Sequence, residues 1–363
     1  MKHNESKNVT IADIAQAAGV SKTTVSRYLN GKYSMMSAET RTRIETVIRM
    51  SNYHPNSLAQ SLRGRRSMQI GVVISDIANP FCASVIRSLG HTLLEEGYVS
   101  LVVDSKEDPE LEQHLITTLL SRRADGLIVN TSSFHNPSLI RVACSGIPVV
   151  LFDRYVKDYH FAFVGSSNRD PIFQLIAHLK EEGYAKVAFF TQDYENVSPR
   201  FIRRRLWLEA MGEYYPDVDT QPLTYCLDLM DRERTARHIR SLLDTCAPGE
   251  VPAVFVSNAS TCVHLLSVMQ DMGLSVPGDL GVCSPDDWGW DTQYSVSILN
   301  YPKITTLAIY PEQMGTEAAK LMLQMLRNPE GQKNDIILPT ELLIRESTRL
   351  QAYRENQGGT KNG

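Results

Sequence analysis

The sequence predicts a small all-α head joined to a larger α/β body, with parallel sheets in two similar subdomains. Three observations predict it. Residues 11–31, IADIAQAAGVSKTTVSRYLNG, read as two short helices joined by a tight turn. After Ser67 the pattern changes to short apolar strands alternating with amphipathic helices, in two successive series. The charge is also divided: residues 1–66 hold 11 Lys/Arg against 4 Asp/Glu, and the rest of the chain holds 26 against 37. A basic head on an acidic body implies a polyanionic partner for the head alone.

In the head, Ile11, Ile14, Ala15 and Ala18 fall at helical spacing. Thr10 can cap this first helix, with Asp13 completing a capping box. Gly19 sits where a helix needs a left-handed exit. Ser21 is an N-cap for the second helix. There Val25 and Leu29 face inward, and Lys22, Thr23, Ser26 and Arg27 are left facing out. A helix that is small, polar and basic outside is what the DNA major groove selects. Spacing alone fits a surface helical hairpin equally well. A third helix, from the N-cap Ser37 to about Ser51, closes the head with Ile44, Val47 and Ile48. Asn52 is placed as its C-terminal cap.

The segment from Pro55 to Gly64 has a Pro that suits a helix start and a Gly that suits a stop. About two turns are marginal alone in water, so composition favours a flexible linker. In the body, strands are expected at 70–74, 99–104, 126–130 and 148–153, with helices near 80–96, 109–122 and 137–144. A second series follows: strands at 161–164, 186–190, 223–225, 253–257 and 281–283, helices near 170–182, 199–214, 231–243 and 259–272. From Gln351 the chain is polar and Gly-rich, which predicts disorder. No run of 18 apolar residues occurs, so no membrane span is expected. MKHNESKN carries no apolar stretch, so no secretory signal is expected. The six cysteines are scattered without a CxxC pair, as for reduced core thiols.

TIADIAQAAGVSKTTVSRYLNG, followed by Ser37, Thr40 and NYHPNSLAQSLRG, resembles the lac/gal repressor family of bacterial transcription factors. The likeness runs from Val9 to about Leu350. It implies a helix-turn-helix head over 1–54, a hinge helix over 55–66 that folds on DNA, and a periplasmic-binding-protein-like effector and dimerisation body over 67–350. Lobe 1 is expected at about 67–164 and 303–331, lobe 2 at about 165–302 and 332–350, and a disordered tail at 351–363. The implied DNA contacts are Thr10, Ser21, Lys22, Thr23, Ser26, Arg27, Asn30, Asn56, Ala59, Leu62 and Arg63, with Leu62 matching an apolar wedge in the minor groove.

Ligands of open parallel sheets meet the carboxyl ends of strands. There the resemblance implies effector contacts by Phe81, Asp153, Arg154, Arg203, Asn258, Asp286 and Trp288. Each has a plainer reading. Phe81 equally suits the core, and Asp153-Arg154 a surface pair. Four arginines open one helix (200, 203, 204, 205), and a solvated basic face accounts for all but Arg203. Trp288 and Trp290 equally suit a subunit interface. The chain departs from the family in Ala259 after Asn258, in Ser284-Pro285 before Asp286, and in Ile309 where Gln is usual. The Asp-Asp-Trp-x-Trp loop looks like that of regulators of sugar-acid catabolism, of the 2-keto-3-deoxygluconate type.

The expected function is a cytoplasmic, homodimeric regulator, most simply a repressor, with a tetramer left open. Its partners would be palindromic operator DNA and a small sugar or sugar-acid effector, with no membrane. No cofactor, metal or catalytic residue is expected. The alternatives are a sugar-binding protein, or an enzyme of the same two-lobed fold using Asp153, Asp286 and Asp287. No Gly-rich phosphate loop, HExxH or GxSxG supports the enzyme.

Overall fold

The computed structural model describes residues 9–29, 31–51, 53, 66–287, 302–331 and 334–359. It contains two compact units, Met1–Ser67 and Met68–Gly363.

Among the described residues, the first unit has three α-helices: α1 (Ile11–Ala17), α2 (Lys22–Leu29) and α3 (Ala38–Ser51). Ile14, Ala15, Ala18, Val25 and Ile44 form its core, and Val20, Leu29, Val47 and Ile48 pack against them half-buried. Gly19 takes φ +62, the left-handed exit that lets Val20 turn back onto this core. Ser37 caps α3, its Oγ accepting from the Thr40 N–H at 3.2 Å.

The second unit opens with β1 (Gln69–Ile74), α4 (Pro80–Glu95), β2 (Val99–Asp104), α5 (Pro109–Ser121), β3 (Gly126–Val129), α6 (Pro137–Cys144), β4 (Val149–Phe152) and β5 (Ala162–Ser166). It continues with α7 (Arg169–Glu181), β6 (Val187–Thr191), α8 (Ser198–Tyr214), β7 (Thr224–Cys226), α9 (Arg232–Asp244), β8 (Ala253–Val256), α10 (Ala259–Asp271) and β9 (Gly281–Pro285). Then come β10 (Thr305–Ala308), α11 (Pro311–Arg327), β11 (Asp335–Leu338), β12 (Glu341–Leu343) and α12 (Leu350–Gly359). The strands form two six-stranded sheets, in the orders β11-β5-β4-β3-β1-β2 and β12-β10-β9-β8-β6-β7. Every pairing is parallel except β10 with β12. Five positions match in order and direction, so the lobes share one winding; the edge strands differ, β11 being parallel to β5 and β12 antiparallel to β10.

The lobe boundaries differ from the sequence reading. Residues 305–308 were expected in lobe 1, but β10 pairs with β9 in the second sheet. Of the segment 303–331, the part that returns to lobe 1 is α11, against α4 and strands β3 to β5. Residues 335–338 were expected in lobe 2, but β11 pairs with β5 in lobe 1. The chain therefore crosses after β5, after β10 and after β11. Local pattern carries no record of which sheet a crossing strand joins, because pairing partners lie far away in sequence. Gly315 lets α11 lie close against α4: a Cβ there would sit 2.3 Å from the Val85 carbonyl oxygen.

The expected tail is also corrected. Residues 350–359 are helical. Leu350 is fully buried in the lobe 2 core, and the Gln351 side chain donates to the Glu181 carbonyl at 2.7 Å. A polar composition did not prevent order, because one buried leucine and capping of α7 anchor the helix. Residues 360–363 lie outside the described residues.

Lobe 2 is built around Trp207, which stacks on Phe189 with centroids 5.7 Å apart. Cys82, Cys262 and Cys283 are core thiols as expected, but Cys144 and Cys226 are exposed and Cys246 half-buried. Burial pushes the Cys82 and Cys262 thiols up to about 12. Among the described residues, no helix is long and apolar enough to cross a membrane.

Candidate functional site

In the first unit, the Thr10 side chain accepts from the Asp13 N–H, and Asp13 accepts from the Thr10 N–H at 2.8 Å. Ser21 Oγ accepts from the Thr24 N–H at 3.1 Å. These caps fix both ends of the turn between α1 and α2. Val25 points into the core, which leaves Lys22, Thr23 and Arg27 exposed and Ser26 half-buried. With no acidic residue in its first turn, α2 presents positive charge and free polar groups at its start. Sequence reasoning missed the brace behind it: Tyr28 meets Tyr33 edge-on at 5.6 Å, and Arg41 lies over the Tyr33 ring at 4.0 Å. Asn30, Asn56, Ala59, Leu62 and Arg63 lie outside the described residues, as does the cap Asn52.

In the second unit a cavity of about 310 Å³ lies between the lobes. Lobe 1 contributes Asp76, Asn79 and Phe81 after β1, Lys106 and Glu107 after β2, and Asp153 and Arg154 after β4. Lobe 2 contributes Gln192, Val197, Pro199, Arg200 and Arg203 after β6, together with Leu229, Asn258, Ser260 and Asp286. Ile309, at the second crossing, completes the wall. Six expected effector residues thus share one crevice: Phe81, Asp153, Arg154, Arg203, Asn258 and Asp286. Trp288 lies outside the described residues.

Asp153 and Asp286 occupy equivalent places. Each follows the third strand of its sheet, β4 or β9. Each donates its N–H to the neighbouring strand, to Val164 at 2.9 Å and to Leu307 at 3.0 Å. Both are left-handed, at φ +57 and +68. Asp tolerates this conformation better than most residues, and such strain is retained where the surroundings fix it. Burial raises the Asp286 carboxyl above its ordinary value, and the Asp153 charge adds to the rise. The Arg203 guanidinium and the Ala259 N–H oppose it.

Arg200, Arg203 and Trp207 line one face of α8 and all three are buried. The solvated reading fails for Arg200: its three-residue offset from Arg203 turns it inward too. It holds for Arg205, which stays exposed. Arg203 Nη1 donates to the Ser257 carbonyl at 2.8 Å, and its buried Nε has no partner among the described residues. Arg154 is no surface pair with Asp153; Nη2 donates to Glu107 Oε1 at 2.6 Å. Arg200 donates to the same oxygen at 3.1 Å from the other lobe. Burial alone would raise the Glu107 carboxyl, but the charges of Arg154 and Arg200 overcome it and hold it below its ordinary value.

Phe81 packs in the lobe 1 core and also lines the cavity. Asn258 is also a structural cap: its Oδ1 accepts from Thr261 N at 2.9 Å, and its amide donates to Gln192 at 2.9 Å. Asp287 is held bidentate by Arg345, at 2.9 Å on each arm, so it is no free acid or base. Beside the cavity the lobes touch directly. Phe134 N–H donates to the Asn196 carbonyl at 3.0 Å, and Tyr155 N–H to Ser198 Oγ at 3.0 Å. Among the described residues, no three His, Cys, Asp or Glu side chains gather as a metal site.

A helix-turn-helix head and a two-lobed body around a polar cleft define a DNA-binding regulator with a small-molecule site. Residues 10–56 match the pattern of bacterial regulatory proteins, lacI family, and residues 176–348 that of the periplasmic binding protein-like domain. The chain is 31% identical to the HTH-type transcriptional regulator KdgR of Bacillus subtilis, over 96% of this chain and all of that one. It is 30% identical to the HTH-type transcriptional regulator PtxS of Pseudomonas putida, over 95% and 97%. A lac repressor dimer bound to operator and an anti-inducer superposes with a TM-score of 0.78 at 26% identity, covering 94% of this chain and 99% of that one. A CelR–cellobiose complex gives 0.65 at 25% identity, over 93% and 99%. The chain belongs to the lacI family of bacterial transcriptional regulators.

Proposed function

We propose that this regulator is a cytoplasmic homodimeric repressor, released from a palindromic operator by a monoanionic sugar acid bound between its lobes. One observation carries the effector class: Arg203 is buried at the cleft with Nε unpartnered among the described residues. A buried guanidinium with an N–H left unpartnered and no carboxylate hydrogen-bonded to it suits an anion, and its fork fits a carboxylate. The ion pairs of the cleft run to Glu107, not to Asp153 or Asp286, so those two carboxylates remain to accept from hydroxyls. Phe81 supplies an apolar face, and Trp288 is assigned the other. The relatives KdgR and PtxS are consistent with this class, and the CelR relative was solved with a sugar. For DNA, Lys22, Thr23 and Arg27 are assigned base contacts. Thr10, Ser21, Ser26, Asn30, Asn56, Ala59 and Arg63 are assigned supporting contacts, and Leu62 the minor-groove wedge.

The ligand must favour one lobe arrangement, because equal affinity for both shifts nothing. The test is operator retention with and without 2-keto-3-deoxygluconate, gluconate and neutral hexoses, with calorimetry on the full chain. Sugar acids should bind and release the operator. Arg203→Ala should abolish sugar-acid binding and harm a neutral sugar less. Tighter binding of neutral hexoses, or of a purine, would overturn the effector class and leave the regulator standing.

A further inference from the structure

Three guanidiniums line the cavity, and each is more than nine-tenths buried: Arg154, Arg200 and Arg203 are 8%, 6% and 5% exposed. Two of them are already committed to one carboxylate. Glu107 Oε1 accepts from Arg154 Nη2 at 2.6 Å and from Arg200 Nη2 at 3.1 Å, and Oε2 lies 3.4 Å from Arg200. The two arginines come from different lobes, so the carboxylate bridges the cleft. Its aim is fixed by the backbone. Lys106 and Glu107 are consecutive left-handed residues, at φ +53 and +57, and the Glu107 N–H donates to the Ser75 carbonyl at 2.7 Å. Non-glycine residues in this region persist only where surrounding contacts hold them.

Two buried guanidiniums converging on one set of oxygens are the chemistry of an anion-binding site. Here the chain supplies the anion itself. We propose that Glu107 is the built-in occupant of a second anion subsite, and that it restricts the cleft to effectors with a single negative group by excluding phosphorylated sugars. This rests on the sugar-acid reading above, with the effector carboxylate at Arg203. A phosphate reaching Arg154 and Arg200 must either expel Glu107 from both or lie beside it. The first strands a carboxylate, and the second places like charges together in a poorly screened crevice. An uncharged hydroxymethyl end meets neither obstacle. Selection therefore comes from an element that repels the wrong ligand rather than one that attracts the right one.

The test uses the full-length protein, its Glu107→Gln variant, and Glu107→Gln combined with Arg200→Gln. The probes are inorganic phosphate, 2-keto-3-deoxygluconate and its 6-phosphate. Inorganic phosphate should raise the melting temperature of Glu107→Gln by more than it raises that of the parent, in which Glu107 still fills the Arg154–Arg200 subsite and leaves phosphate the Arg203 site, since a ligand of the native state stabilises it. Calorimetry should show Glu107→Gln gaining about tenfold or more in affinity for the 6-phosphate relative to the unphosphorylated acid. The double variant should lose that gain. If Glu107→Gln is less stable, phosphate should restore it; failure to restore it overturns the proposal. So does a parent that binds the 6-phosphate as tightly as the unphosphorylated acid. A parent that binds neither acid, with a variant that still answers to inorganic phosphate, would sink the sugar-acid reading and uphold the subsite.

Discussion

The equivalent strand ends of the two lobes begin alike and then part. After β4 stands Asp153 and after β9 stands Asp286, both left-handed and both held by the neighbouring strand. The next residues differ. Arg154 pairs with Glu107 of its own lobe and, through it, is linked to Arg200 of the other lobe. Asp287 turns into its own lobe, where Arg345 grips it and Thr306 donates at 3.2 Å. The shared winding sets where a carboxylate enters the cleft. The following residue decides whether that edge communicates between lobes or stiffens one of them. A site between two similar lobes can thus be asymmetric although its frame is not.

The largest expected effect lies on the stiffening side. Asp287→Ala leaves the Arg345 guanidinium largely buried without its partner, which should cost about 3 kcal/mol of stability. Urea unfolding of the full chain would show it as a lower midpoint. An unchanged midpoint would remove the contrast between Asp287 and Arg154. The facing carboxylates should behave otherwise. Asp286→Asn should weaken a sugar acid by about 1.5 to 3 kcal/mol, roughly tenfold to a hundredfold in Kd, without destabilising the fold. Burial already disfavours its charge, so a neutral amide relieves the fold while lowering acceptor strength. Asp153→Asn should act alike if the equivalence extends to ligand binding; calorimetry on both variants decides.

A smaller effect depends on pH. Glu107 has a folded-state pKa below its ordinary 4.5, held there by Arg154 and Arg200 against burial. Its bridge therefore contributes fully above about 4.5 and is lost as pH falls through the lower folded value. The stability difference between the parent and Glu107→Gln should be constant near neutrality and shrink only below pH 4.5. A difference that shrinks already above pH 5 would mean that the bridge is not what holds Glu107. The smallest effect tests the direct lobe contact. Ser198→Ala removes the acceptor of the Tyr155 N–H and should cost about 1 kcal/mol, seen in thermal melting.

What was legible in the sequence was local. The spacing of Ile14, Ala18, Val25 and Leu29, the caps Thr10 and Ser21 and the turn at Gly19 specify the head, because each acts within a few residues. The alternation of apolar runs and amphipathic helices likewise determined the winding of both lobes. The rule that ligands meet strand carboxyl ends, joined to the family resemblance, put Asp153, Arg203 and Asp286 on one crevice before any contact was known. Tertiary structure alone decided the rest. Arg200 looked like one more surface arginine, and Glu107 was not singled out at all. Their hydrogen bond spans 93 residues, and Asp287 finds Arg345 across 58. Which sheet received β10 and β11, and whether the end of the chain was ordered, also turned on distant partners. Charge and hydropathy name what a side chain can do. Only packing brings a buried charge to its counter-charge, and here that pairing separates Arg203 from Arg154 and Arg200, the two held by Glu107.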